Sequence, residues 1–348
     1  MEFKVPKSAW ATHVKNHKSA PRHACTAPML KWGDFPLPVR QDVPEEVCLP
    51  LPEAYQVPLK GAAGEAVKHA SIALIKGRSL FIHGAPGSGK DAIVHAYSAM
   101  TRTPGLIFTI CPNTDISSWL YTRAFDATST YWEEGSLLKA LRDGYTTESG
   151  EVVPYIILLS DFDRADRAQA ETLRLILDSI KGRVMGPDGK SIPVLPGTRI
   201  VATANSSGGG DMSGRMSSNM IDASIMDRFQ CKVQFVWLTV PEELEILAVK
   251  FPRLFRLLPS VRKQLADTLT AIRAAIHSGE LDCDFSARAL SSWCLHMEDI
   301  IDLEYGGTNA EDRIPSKAFR VVSDGMPDDQ TRLAIRRIAD PHLKGFKV

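Results

Sequence analysis

Gly84-Ala85-Pro86-Gly87-Ser88-Gly89-Lys90-Asp91 is the stretch on which the fold turns. It follows an apolar, strand-like run from Ser79 to His83 and precedes a helix-compatible segment from Asp91 to Met100. A glycine-rich turn between strand and helix offers backbone N–H groups and the positive end of a helix dipole to an anion, and its lysine reaches the terminal phosphates of a nucleotide. Gly84, Gly87 and Gly89 let the chain wrap closely around such an anion. The candidate phosphate-binding residues are therefore Gly84, Pro86, Gly87, Ser88, Gly89, Lys90 and Asp91. The last of them is irregular. A Ser or Thr hydroxyl normally meets Mg²⁺ at that position, and here a carboxylate stands in its place.

Two further runs read as strands of the same sheet. Tyr155-Ile156-Ile157-Leu158-Leu159-Ser160-Asp161 is continuously apolar and then polar, the pattern of a parallel strand buried on both faces. Open α/β sheets gather ligand-binding groups at such strand ends, where carboxylates hold Mg²⁺ and orient water. Leu173, Ile176, Leu177 and Ile180 recur at helical spacing and predict a helix packed on the sheet, stopped at Gly182. Arg199 to Asn205 is another strand with a polar end, and Asn205 is placed to orient the attacking water or touch the γ-phosphate. A glycine-rich loop from Gly208 to Gly214 follows, then Ile225-Met226-Asp227-Arg228-Phe229 and, much later, Phe285-Ser286-Ala287-Arg288-Ala289-Leu290. Taken singly, arginines such as these are surface residues.

The order of these landmarks resembles that of AAA+ ATPases, and more narrowly the MoxR group that includes the ATPase subunit of cobaltochelatase. The likeness is carried by the phosphate loop, the run from Gly135 to Gly144, Asp161-Phe162-Asp163-Arg164-Ala165, Ala202-Thr203-Ala204-Asn205, Gly210-Asp211-Met212-Ser213-Gly214, Asp227-Arg228-Phe229 and Ser286-Ala287-Arg288. These run in family order from about residue 60 to the C-terminus. The resemblance implies an α/β fold, an AAA+ P-loop core with a parallel sheet followed by a small all-α lid domain. It also implies ATP and Mg²⁺ as cofactors and a homo-oligomeric ring, usually a hexamer. By the same resemblance Asn205 is sensor 1, Arg228 the arginine finger supplied to the neighbouring subunit and Arg288 the sensor 2 arginine of the lid.

Aligning Asp163-Arg164-Ala165 with the family's Asn-Arg-Ala puts Ser160 where the Mg²⁺-associated Asp belongs and Asp161 where the Glu that activates water belongs. Position 91 thus exchanges a hydroxyl for a carboxylate, and position 160 does the reverse. One reading is an exchanged metal shell of Asp91, Ser160 and Asp161, in which Asp91 ligates Mg²⁺ and Ser160 bonds its water. Asp161 then polarises the attacking water with Asn205, while Lys90, Arg228 and Arg288 offset charge in the transition state. The opposing reading is a nucleotide-dependent scaffold with feeble hydrolysis, because Asp91 repels a triphosphate when no metal lies between them. A third register makes Asp161 the metal partner and Asp163 the base, since residues two apart on a strand share a face.

Composition agrees with this picture. A chain of 348 residues suggests about two domains, and 44% hydrophobic with 24% charged content supports a sizeable core. A formal net charge of zero argues against a whole-protein polyanion binder, so nucleic acid is not the favoured partner. The absence of a signal-like segment or a long apolar run predicts a cytoplasmic protein with no membrane segment. The scattered cysteines, none in a Cys-x-x-Cys pair, suit reduced thiols, and the loose group His13, His17, His23 and Cys25 matches no standard Zn²⁺ spacing.

The expected organisation is an extended N-terminal arm over 1–58, a nucleotide-binding core over 59–240 and a helical lid over 241–348. The arm is proline-rich, with Trp10, Trp32 and Phe35 as candidate anchors, and a helix opens the core near Ala63 to Lys76. Trp119, Tyr121, Phe125, Tyr131 and Trp132 fall where the family carries a helix-2 insert, and such aromatics either grip a partner or pack in the core. A turn at Gly186-Pro187-Asp188-Gly189 predicts a β-hairpin. Helices are expected around Val261 to Ile276, from Phe285 to Met297 and from Asp328 to Ala339. The resemblance points to a ring-forming ATPase that remodels a protein partner as a MoxR-like chaperone or chelatase-type motor, often with a von Willebrand factor A domain protein. A weakly hydrolysing scaffold and a DNA-acting motor are the alternatives.

Overall fold

The computed structural model describes residues 29–32, 35–53, 55–58, 60–187, 189–209, 219–304 and 310–343. Much of the expected arm, the histidine and Cys25 group, and the motif from Gly210 to Gly214 lie outside the described residues. The described part of the arm forms an antiparallel pair, β1 (Met29–Trp32) and β2 (Phe35–Pro38). Leu37 and Leu49 then enter the apolar layer beside the sheet, and the Leu49 amide donates to Ser98 Oγ at 2.8 Å.

The core runs α1 (Gly61–Ile75), β3 (Leu80–Gly84), α2 (Lys90–Thr101) and β4 (Gly105–Thr109). A hairpin of β5 (Tyr121–Phe125) and β6 (Thr130–Glu134) precedes α3 (Ser136–Asp143), followed by β7 (Tyr145–Thr146) and β8 (Val152–Val153). Then come β9 (Ile156–Ser160), α4 (Arg167–Asp178), the hairpin β10 (Arg183–Met185) and β11 (Ser191–Pro193), and β12 (Arg199–Ala204). The short α5 (Ala223–Met226) leads into β13 (Cys231–Phe235).

Five strands form one parallel sheet in the order β13-β3-β12-β9-β4. Strand alternation divides its side chains between two layers: Phe81, Ile157, Leu159 and Ala202 join α3 and α4 on one face, while Leu80, Ile82, Leu158 and Val201 join α1 and α2 on the other. Burial on both faces is why these runs are apolar at every position and not at every second one. Register brings the C-terminal ends of β3, β12 and β9 to one edge, with Ala204 opposite His83 and Ala202 opposite Leu159. Gly84 is required there by close approach, since a Cβ would lie 2.0 Å from the Phe235 carbonyl oxygen of β13.

The remaining helices are α6 (Val240–Lys250), α7 (Pro252–Leu257), α8 (Val261–His277), α9 (Ala287–Glu304), α10 (Ala310–Asp324) and α11 (Asp329–Ala339). They enclose a separate apolar cluster that includes Leu265, Ile272, Trp293, Met297, Phe319 and Ile335. Pro315 lies inside α10 and cannot donate to the carbonyl one turn back. Gln264 Nε2 of α8 supplies the missing donor to that Glu311 oxygen at 3.2 Å, and the Pro315 carbonyl in turn accepts from Trp293 Nε1 at 2.9 Å. Among the described residues no helix is long and apolar enough to cross a membrane, and Cys48, Cys111, Cys231, Cys283 and Cys294 are free thiols.

Candidate nucleotide and metal site

The phosphate loop spans the gap between β3 and α2, with positive φ at Gly87 (75°) and at Gly89 (85°), the N-cap of α2. These are conformations that glycine adopts without strain. Lys90 points its ammonium donors at Gly84 O (2.8 Å), Ala85 O (3.1 Å) and Asn205 Oδ1 (3.1 Å). The last contact joins the loop to the end of β12. Burial pulls the Lys90 pKa below its ordinary value, opposed by Asp91, Asp163 and Asp161 and reinforced by Arg288.

Asp91 sits in the first turn of α2, where the helix dipole favours a carboxylate. Its Oδ2 accepts from Ser160 Oγ at 3.2 Å, while its Oδ1 is buried with no hydrogen-bond partner. Asp161 follows Ser160 in the left-handed region (φ 55°), a conformation that Asp tolerates better than most residues, and Arg164 Nη1 lies 3.8 Å from its Oδ2. Burial raises the Asp161 pKa, Asp91 and Asp163 push in the same direction, and Arg164 and Lys90 oppose them.

An orphaned carboxylate oxygen beside a hydroxyl is a hard-oxygen donor set, and it fits Mg²⁺, which keeps several waters and takes one or two carboxylates together with substrate phosphates. Asp91 and Ser160 are the groups that would hold the ion, with Asp161 adjoining. Among the described residues no group of three His, Cys, Asp or Glu side chains is gathered for a metal, which leaves the remaining coordination to phosphate oxygens and water.

Asp163 is fully buried, and its Oδ2 accepts from the backbone amides of Asn205 (3.0 Å) and Ser206 (2.8 Å). Its own carbonyl accepts from the Asn219 amide at 2.6 Å. The third register, with Asp163 as base, is disfavoured by this geometry, because the carboxylate faces the backbone after β12 and serves to place Asn205. In the sequence the hint of this role is a charged residue three positions past the end of β9.

Ser286 and Ala287, at the start of α9, close over the loop: a Cβ on Gly87 would lie 2.8 Å from Ser286 Cβ. Arg288 is thereby brought near enough for its charge to act on Lys90. A second link from loop to helices escapes sequence reasoning. Trp237 Nε1 donates to Pro86 O at 2.9 Å, and the Arg273 guanidinium of α8 lies 5.0 Å from the Trp237 ring centroid. Arg273 pairs at 2.8 Å with Glu243 of α6, a buried carboxyl whose pKa is raised by burial against the pull of Arg273.

Arg228 is not brought to this edge. Its carbonyl accepts from Ser79 Oγ at 3.2 Å, at the opposite end of β3. At about 3.3 Å per residue of parallel strand, β3 holds the Arg228 backbone roughly 15 Å from its own phosphate loop. Its guanidinium donates to Asp178 Oδ1 at 3.0 Å and also to the Ser224 carbonyl. Burial pushes the Asp178 carboxyl up, yet the hydrogen bonds from Arg228 and Lys181 hold it below its ordinary value. A cavity of about 320 Å³ opens at the same end of the sheet, lined by Ser79, Ile180, Lys181, Gly182, Pro196 and Gln230 among others.

Sheet order, phosphate loop, polar strand ends and a helical region closing over the loop define an AAA+ P-loop fold. Residues 79–229 match the family model of the AAA domain, dynein-related subfamily. No curated protein sequence matches the chain. Among solved structures, an arginine-to-alanine variant of Thermotoga maritima RuvB aligns at 14% identity over 84% of this chain and 76% of that one, with a TM-score of 0.47. The Thermotoga maritima RuvB Holliday junction branch migration motor aligns at 13% identity over 77% of this chain and 69% of that one, with a TM-score of 0.43.

Proposed function

We propose that the protein is a ring-forming, Mg²⁺-dependent ATPase of MoxR type that couples ATP binding and hydrolysis to remodelling of a protein partner. The observation that carries this reading is the junction at the sheet edge, where Lys90 is tied to Asn205 while the start of α9 closes over Gly87. In this reading the loop and Lys90 hold the β- and γ-phosphates, and Asp161 and Asn205 orient the attacking water, with Asp161 receiving its proton. Mg²⁺ supplies charge neutralisation at the phosphates when bound. Arg288 draws the lid toward the nucleotide. Arg228, remote from its own loop, serves the site of the neighbouring subunit, which makes a homo-oligomeric ring part of the mechanism.

The hairpin of β5 and β6 supports a protein client. Phe125 (71% exposed), Trp132 (52%) and Tyr131 (48%) stand out from it in company with Arg123, Asp126 and Glu133. Exposed aromatics grip apolar and polypeptide surfaces. A von Willebrand factor A domain protein is the partner proposed from the family resemblance. The carboxylate at position 91 favours a second reading, a nucleotide-dependent scaffold with slow turnover.

The test is ATP hydrolysis by purified protein with and without Mg²⁺, for wild type, Lys90→Ala and Arg228→Ala, with oligomeric state measured alongside. Turnover lost in both variants, with the Arg228→Ala defect relieved in mixed rings, is the expected result. Nucleotide-dependent assembly with no turnover in wild type would favour the scaffold, and DNA-stimulated turnover would favour a motor on nucleic acid.

A further inference from the structure

We propose that Asp91 and Ser160 form a metal shell with its two protein groups exchanged, and that the exchange makes nucleotide binding conditional on the cation. The loop accepts the Mg²⁺–nucleotide pair and rejects the metal-free nucleotide. The inference rests on the nucleotide site proposed above and concerns how that site admits its ligand.

In a P-loop site the hydroxyl directly after the lysine and a carboxylate at a neighbouring strand end hold the metal. Here the carboxylate follows the lysine and the hydroxyl ends β9. Although 69 residues apart, the two side chains meet at 3.2 Å, so the pair is preserved across the site with its charge on the other side. That charge now lies in the first turn of α2, on the residue after the phosphate-binding lysine, with Asp161 kept just past the end of β9. One carboxylate oxygen is already occupied by Ser160, and the buried Oδ1 has no partner. A buried acceptor without a donor is costly, and a hard cation relieves it. A bare triphosphate does the opposite, because it brings like charge against a desolvated carboxylate. Lys90 gives Asp91 no hydrogen bond, its ammonium being directed to Gly84 O, Ala85 O and Asn205 Oδ1, and its charge offsets the carboxylate only through space. A like-charge contact of several ångströms in a partly buried site predicts an affinity penalty of roughly a hundredfold for metal-free ATP.

The experiment is equilibrium binding of ATP in Mg²⁺ and in EDTA to wild type, Asp91→Asn, Asp91→Thr, Ser160→Asp and Asp91→Thr/Ser160→Asp. Thermal unfolding checks that each variant is folded. Wild type is expected to bind roughly a hundredfold more weakly in EDTA. Asp91→Asn, nearly isosteric but neutral, should bind metal-free ATP much more tightly than wild type and gain little from Mg²⁺. The double variant should recover strengthening by Mg²⁺, with a smaller EDTA penalty than wild type, whereas Ser160→Asp alone should deepen that penalty. The low-temperature EPR spectrum of Mn²⁺–ATP on the protein should change with Asp91→Asn. Equal wild-type affinity in the two buffers would overturn the proposal, and so would an Asp91→Asn variant with unchanged metal dependence and EPR spectrum. Absence of ATP binding in either buffer would remove the nucleotide-site reading itself and the proposal with it, an outcome distinct from metal-independent binding.

Discussion

The phosphate-loop edge of the sheet and the interior of the C-terminal helices both bury polar atoms without partners, but they differ in the regularity of the backbone that carries them. At the edge, Ser88 Oγ and Asp91 Oδ1 are buried without a hydrogen-bond partner, and positive φ values recur at Gly87, Gly89 and Asp161. Inside the helical cluster a comparable irregularity is closed off: Pro315 leaves Glu311 O without its helical donor, and Gln264 provides one. Gln264 Oε1 and Thr268 Oγ1 nevertheless stay buried without a partner there, so what sets the edge apart is unusual backbone beside a loop that offers donors to an anion. That combination suits the edge to a ligand and the helical cluster to packing.

The lid side of that comparison is broken most severely by Trp293→Ala. Trp293 is fully buried, lies 4.8 Å from Phe319 ring to ring, and donates to Pro315 O. Its truncation should cost about 3–5 kcal/mol, read as a lower denaturant midpoint. A loss below about 1 kcal/mol would show that the cluster is loosely packed.

Asp163→Ala sharpens the edge side. It strips the acceptor from the Asn205 and Ser206 amides, and the expected loss is about 2 kcal/mol of stability. Because Asn205 is then misplaced, kcat should fall by a larger factor than ATP affinity. Equal losses in both would mean that Asp163 holds the fold and does not position Asn205.

Gln264→Leu keeps the approximate volume but leaves Glu311 O unanswered, so about 1 kcal/mol should be lost with ATP affinity unchanged. The smallest effect is expected of Trp237→Phe, which retains an aromatic ring yet removes the donor to Pro86 O. Intrinsic stability should fall by about 0.5–1 kcal/mol. The more telling readout is the rise in unfolding temperature on adding Mg²⁺–ATP, which should shrink if Trp237 couples the loop to Arg273 and Glu243. An unchanged rise would assign Trp237 to packing alone.

Strands β3, β9 and β12 were legible because each carries consecutive apolar residues, Leu80 to Ile82, Ile156 to Leu159 and Ile200 to Ala202, the mark of a strand buried on two faces. β4 and β13 were not. Gly105-Leu106-Ile107-Phe108-Thr109 and Cys231-Lys232-Val233-Gln234-Phe235 are the outer strands, only partly covered; the first holds just three consecutive apolar residues and the second alternates apolar with polar over too short a run to stand out. The hairpin of β5 and β6 was visible only as a cluster of aromatics, since its residues remain largely exposed and carry no core-facing period. Pro315 hid α10 for a simpler reason: local rules forbid proline inside a helix, and the compensating donor comes from Gln264 on another helix.

By itself, the sequence determined the phosphate loop, the three inner strands, helices α8, α9 and α11 and the polar residues that end each strand, because all of these are written in short-range spacing and apolar runs. Tertiary structure decided that Asp91 meets Ser160, that Asp163 faces backbone amides, that Trp237 reaches Pro86 and that Arg228 lies at the opposite end of β3 from the loop. Propensity and pattern act over a few residues, whereas these side chains meet only after parallel pairing and helix packing have brought distant segments of the chain to the same edge.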